Sequence, residues 1–235
     1  MNIMEIGNQL IMNMLQCFGV SSLYCINIFQ YISFVLTAIL IFKMGAKKSK
    51  LKLCEDEINF LQRHTSLNRS EIKKWHKKFK RNCPSGRLSK AQFVELHKIF
   101  SPYDNTEKYC NHIFRTFDID KDGTICFFEF LFAINIMGSG TAEEKLMWSF
   151  KMFDIDENNY IDLNEMTKII NSIYGVLGSD ADIITDQMPE DRAEAIFCRL
   201  DENDDQMITQ QEFVGVCLED DELKNMLTLN IINTR

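Results

Sequence analysis

Three stretches of this 235-residue chain share one twelve-residue skeleton, and that repeat limits the possible fold more than any other feature. They are "DIDKDGTICFFE" from Asp118, "DIDENNYIDLNE" from Asp154 and "DENDDQMITQQE" from Asp201. Each carries oxygen-bearing side chains at positions 1, 3 and 5, isoleucine at position 8 and glutamate at position 12. A fourth copy, "RNCPSGRLSKAQ" from Arg81, keeps the phase but has lost the acids. Between the loops, apolar residues recur with helical period: Ile113, Phe114 and Phe117, then Phe127, Phe130, Leu131 and Ile134. The unit is therefore helix, loop, helix, four times over, an all-α chain.

The spacing suits a hard divalent cation. Calcium takes six to eight oxygens, and alternate positions of a tight loop can aim theirs at one point. Position 7 offers a backbone carbonyl, and position 12 a carboxylate that binds through both oxygens. Position 6 must turn with positive φ, which favours glycine. An apolar position 8 lets paired loops join in a short two-stranded sheet.

On these rules the loop at Asp118 is complete, with Asp118, Asp120, Asp122, the Thr124 carbonyl and Glu129 as ligands and Gly123 at the turn. Cys126 at position 9 is a poor calcium ligand, but water commonly fills that place. The second complete loop offers Asp154, Asp156, Asn158, the Tyr160 carbonyl and Glu165, with Asn159 at the turn, a residue that tolerates the left-handed conformation. The third offers Asp201, Asn203, Asp205, the Met207 carbonyl and Glu212, but Gln206 holds the turn, so weaker binding is expected. The loop at Arg81 should not bind: Arg81, Cys83 and Gln92 stand at positions 1, 3 and 12, and Pro84 stiffens it. Its expected role is structural, as the loop that pairs with the one at Asp118.

The net charge of −8 falls entirely on residues 44–235, because residues 1–43 hold only Glu5 and Lys43 as charges. Such acidity excludes a broad nucleic-acid surface and suits a binder of cations or basic peptides. The 8 cysteines are scattered with no CxxC, as expected for reduced thiols in the cytosol. All 4 histidines lie outside the loops, and no Ser-His-Asp set, phosphate loop or zinc spacing occurs. An enzyme is not expected.

The start of the chain allows two readings. Leu23–Phe42 is a 20-residue apolar stretch, enough as a helix to cross a bilayer core. Asn27, Gln30, Ser33 and Thr37 nevertheless form a polar stripe along it. Met44, Gly45 and Ser49 then fit the pattern for attaching myristate to an N-terminal glycine. Either residues 23–42 anchor the protein, or the working protein starts at Met44 and carries myristate on Gly45.

"WHKKFKRNCPSGRL" at 75–88, "HIFRTFDIDKDGTICFFEF" at 112–130 and "EEKLMWSFKMFDID" at 143–156 resemble the neuronal calcium sensor family, of the hippocalcin, visinin-like or frequenin type. The Cys-Pro-x-Gly of the disabled first loop is the family's mark, and the resemblance runs from about Met44 to about Phe213. It implies two pairs of EF-hands, the first hand disabled, at residues 44–136 and 142–235, and leaves an apolar extension at 1–43 outside it; between the halves, Gly138 and Gly140 at 137–141 read as a hinge or as no more than a helix end. It also implies a switch in which calcium releases a buried myristoyl group, together with an exposed apolar groove for target proteins or helices. Trp75, Phe79, Phe100, Phe114, Leu131 and Ile134 are the candidates for that groove.

A single myristoyl chain binds membranes only marginally, so an anionic lipid surface would need the lysines at 47, 48, 50 and 52 as a second contact. "KKWHKKFKR" at 73–81 adds six more cationic residues. The expected protein is a cytosolic, reversibly membrane-associated calcium sensor. A calcium buffer, or a permanent regulatory subunit of an enzyme or channel, stays open as an alternative.

Overall fold

The computed structural model describes residues 53–98, 106–177 and 188–227. Gly45, the segment 1–43, the lysines at 47–52 and Phe100 therefore lie outside the described residues. Among the described residues, no helix is long and apolar enough to cross a membrane.

The N-terminal half runs α1 (Glu55–His64), α2 (Arg69–Asn82), β1 (Arg87–Ser89), α3 (Lys90–Lys98), α4 (Thr106–Phe117), β2 (Thr124–Cys126) and α5 (Phe127–Ser139). After it come α6 (Ala142–Phe153), β3 (Tyr160–Ile161), α7 (Leu163–Leu177), α8 (Pro189–Leu200), β4 (Ile208–Thr209), α9 (Gln210–Glu219) and α10 (Asp221–Leu227). The chain is all-α, as the repeat required, with two small antiparallel sheets.

Helix starts follow their capping residues. Asn68 and Glu71 form a reciprocal capping box on α2, Thr141 and Glu144 one on α6, and Thr209 and Glu212 one on α9. Pro189 opens α8 at a position where its missing N–H costs nothing. Each sheet joins two loops through their apolar position 8. Leu88 pairs with Ile125, and Ile161 with Ile208, and all four side chains are buried. The disabled loop thus caps the edge of the Asp118 loop.

Aromatic rings in tilted and edge-on contact make much of the core. Phe79 packs between Phe127 and Phe130, with ring centroids 5.6 and 5.1 Å away. Phe93 meets Phe114 and Phe117, and Phe213 meets Phe150 and Phe153 in the second half. The two halves share this core, since Phe117 on α4 lies 5.8 Å edge-on from Trp148 on α6. α4 lies against both α6 and α7. Polar contacts add registry: the Ser66 N–H and hydroxyl both donate to Asn135 Oδ1, each at 2.9 Å. At the far end, the buried Ser149 hydroxyl donates to the Leu227 carbonyl at 2.6 Å, tying α10 to α6.

The 137–141 stretch expected as a hinge is mostly helix. Met137, Gly138 and Ser139 finish α5, which leaves Gly140 and the N-cap Thr141 as the connection. Gly140 is required there: a Cβ would sit 2.3 Å from the Ile136 carbonyl oxygen. Gly138 has open space around it and no such need.

Candidate metal centres

The three acidic loops fold alike. The position-1 carboxylate accepts the N–H groups of positions 5 and 6: Asp118 from Asp122 and Gly123, Asp154 from Asn158 and Asn159, Asp201 from Asp205 and Gln206. The side-chain oxygen at position 5 accepts the N–H of position 7, at 2.8 to 2.9 Å in every loop. Position 6 is left-handed throughout, with φ of +84° at Gly123, +69° at Asn159 and +67° at Gln206. Position 4 is left-handed too, at Lys121, Glu157 and Asp204. Lysine and glutamate give no hint of this in sequence. It also supplies a further reason for the failed first loop, whose position 4 is Pro84, a residue locked at negative φ.

Position 12 closes the site. Glu129 Oε1 accepts from the Ile119 and Asp120 N–H groups at 2.9 and 3.2 Å, while its Oε2 accepts from Cys126 N–H at the start of α5. Glu165 repeats this with Ile155, Asp156 and Asp162. Each glutamate therefore ties the loop entrance to the first turn of the exiting helix. The ligand oxygens of Asp118, Asp120 and Glu129 lie within 4.8 Å of one another, as do those of Asp154, Asp156 and Glu165. Burial pushes the Asp154 carboxyl above the usual carboxylate range, against the Asn158 and Asn159 amides that hold it down. A carboxylate-rich oxygen cluster, buried at positions 1 and 12 and open to solvent at position 3, on a left-handed loop fits calcium. Glu212 differs: it is only half-buried, and its Oε2 accepts from the Thr209 N–H and hydroxyl at 2.9 and 2.7 Å.

Gln206 is the strained member of the set. A long side chain at positive φ costs about 1 kcal/mol or more. Gln206→Gly is expected to tighten calcium at the Asp201 loop a few-fold, read from the Gln206-position amide in a titration. An unchanged midpoint would mean that the turn stores no such strain.

The loop at Arg81 holds no carboxylate at its ligand positions. Cys83 is buried, its thiol pushed up to about 12 by desolvation, and Gln92 Oε1 accepts the Ser89 N–H at the start of α3. Sequence reasoning missed what this loop contributes instead. Its Arg87 ion-pairs with Asp122 and donates to the Thr124 hydroxyl at 2.8 Å. It also missed Arg115, which reaches the Asp154 loop, and an ion pair between Lys121 and Glu157. Only tertiary placement brings these residues together, and no local pattern signals it.

The expected groove is not an open surface here. Phe79, Phe114, Leu131 and Ile134 are buried and Trp75 is half-buried. They also divide between two packings: Trp75 and Phe79 face Phe130 on α5, whereas Phe114 faces Phe93 on α3. The reason is that apolar residues at helical spacing close on one another when a hand is shut. A cleft of about 230 Å³ does adjoin Phe79, lined among others by Leu53, Leu61, His76, Phe127 and Phe128. The cationic stretch on α2 is also narrower than its sequence. Lys73, Lys74 and Lys77 are exposed, Lys80 is buried, and Lys78 sits over the Trp75 ring at 5.7 Å.

Comparisons with known proteins agree with this geometry. The sequence model of an EF-hand domain pair matches residues 143–228, and a second model of such a pair matches residues 84–136. The chain is 38% identical to neuronal calcium sensor 1 of Lymnaea stagnalis over 187 residues, which is 79% of this chain and 97% of the relative. It is 37% identical to neuronal calcium sensor 1 of Aplysia californica over the same shares. Human recoverin is 32% identical over 78% of this chain and 93% of its own length.

Proposed function

The chain belongs to the neuronal calcium sensor family of EF-hand proteins, and we propose that it converts calcium binding into reversible membrane attachment and target binding. The observation that carries this reading is the double attachment of Glu129. One oxygen faces the loop entrance and the other the first turn of α5, the helix that bears Phe130, Leu131 and Ile134. A carboxylate drawn onto a calcium ion would pull the N-terminus of α5 with it. The apolar residues now closed against α2 would then separate, as sensor hands do when they open. The surface so uncovered would take an amphipathic helix of a target protein.

Membrane attachment would use myristate on Gly45 of a form beginning at Met44. The relatives are matched over nearly their whole length by four-fifths of this chain, which supports such a form. The exposed Lys73, Lys74 and Lys77 would add attraction to an anionic leaflet. No catalytic role enters this reading. Intact mass measurement of the protein from its own cells, followed by sedimentation with phosphatidylserine vesicles, tests it. The expected result is a myristoylated chain from Gly45 that pellets with calcium and stays in solution with chelator. A species beginning at Met1 as the sole form, or sedimentation indifferent to calcium, would overturn it.

A further inference from the structure

We propose that Arg115 is a positioning residue that couples the Asp118 and Asp154 calcium sites across the boundary between the two hand pairs. Arg115 lies on α4, the helix that enters the Asp118 loop. Its guanidinium crosses to the end of α6, the helix that enters the Asp154 loop. There Nη1 donates to the Asp154 and Ile155 carbonyls at 2.5 and 2.6 Å, and Nη2 to the Met152 and Lys151 carbonyls at 2.8 and 3.1 Å. These carbonyls belong to a helix C-terminus, where backbone acceptors lack intrahelical partners and a cation is favoured. Two of the four belong to the first two residues of the calcium loop itself, so the fork of Arg115 holds that loop's entrance in place.

Two further contacts span the same boundary. Lys121 and Glu157, each at left-handed position 4 of its loop, form an ion pair, and Phe117 meets Trp148 edge-on. The ion pair is exposed and contributes little alone. Arg115 is the main link.

The need for a cross-boundary link follows from the disabled hand. Within each pair, the two loops communicate through their short sheet. The Asp154 loop has the Asp201 loop as its sheet partner, but the Asp118 loop is paired with a loop that lacks the ligands. The calcium-competent neighbour of the Asp118 loop is therefore the Asp154 loop. An ion in either loop orders the contact that both entering helices share, and the second ion then meets a site already arranged. The coupling is positive and reciprocal, of about fivefold or more.

This inference rests on calcium binding at both loops, and the test separates the two claims. In the ¹⁵N-labelled full chain, the Gly123 and Asn159 amides donate to Asp118 and Asp154 at 2.9 and 3.1 Å, so each amide reports its own site. Calcium titrations compare the Asn159 midpoint with and without Glu129→Gln, first with Arg115 present and then with Arg115→Met, which keeps the apolar stem. Glu129→Gln is expected to raise the midpoint about fivefold or more when Arg115 is present and to leave it unchanged in Arg115→Met. Arg115→Lys, a point charge without the fork, should restore only part of the coupling. Equal effects of Glu129→Gln in both backgrounds, or none in the parent, would overturn the proposal. If Arg115→Met does not fold, Arg115→Lys decides, full coupling counting against the proposal and reduced coupling for it. Silence of either amide throughout would instead overturn the calcium assignment of that loop, and the coupling with it.

Discussion

Glu129→Gln is expected to weaken calcium at the Asp118 loop by at least about 100-fold, because even a residue one shell away from a metal costs 10–100-fold when removed. The substitution keeps the shape and takes away the charge that both oxygens share. Glu129 is buried, and its carboxylate already accepts three backbone N–H bonds, so no neighbouring acid can replace it. Isothermal titration of the variant should show one tight site fewer than the parent. The fold itself should survive, since the glutamine carbonyl can still accept the Cys126 N–H at the start of α5. Unchanged stoichiometry and affinity would refute the assignment of this loop.

Phe79→Ala is expected to destabilise the calcium-free protein by about 3–5 kcal/mol, the usual cost of emptying a fully buried phenylalanine site. The ring lies between Phe127 and Phe130 with no solvent exposure, and the shut hand has little else to fill the space. If calcium opens the hand and brings Phe79 toward the surface, the cost in the loaded state is smaller. By linkage the variant then binds calcium more tightly than the parent, since only the shut state has lost its packing. Thermal melts in chelator and in calcium measure both costs. A melting point lowered equally in the two conditions would place Phe79 in a permanent core and remove it from any target surface.

The loops were legible in sequence because each ligand is specified by its own residue at a fixed offset. Asp118, Asp154, Glu129 and Glu165 need no tertiary knowledge to be read. The pairing of Leu88 with Ile125 and Ile161 with Ile208 was legible for the same reason, through apolar position 8. What was not legible depends on how separate segments meet. Arg115 looks like any helix-surface cation until α6 is set beside α4, and Arg87 looks like a loop residue of a dead hand until β1 joins β2. The groove residues mark the opposite limit. Periodicity shows that Phe79, Phe114, Leu131 and Ile134 are apolar and inward-facing, yet a core and a shut groove have the same pattern. The two glycines at the junction were alike in sequence, and only the placed backbone separates them: Gly138 lies in the last turn of α5 with no contact that demands glycine, whereas Gly140 has one.

Hydroxyl-radical footprinting of the full chain, with calcium and with chelator, tests the central claim most directly. Met137 near the end of α5 and Phe79 on α2 are both buried, and the exposed Met147 on α6, outside every calcium loop, serves as internal reference. The sensor account predicts that oxidation of Phe79, Leu131 and Met137 rises when calcium is added while that of Met147 holds steady. Calcium binding that leaves Phe79, Leu131 and Met137 as protected as before would contradict it and make the protein a buffer.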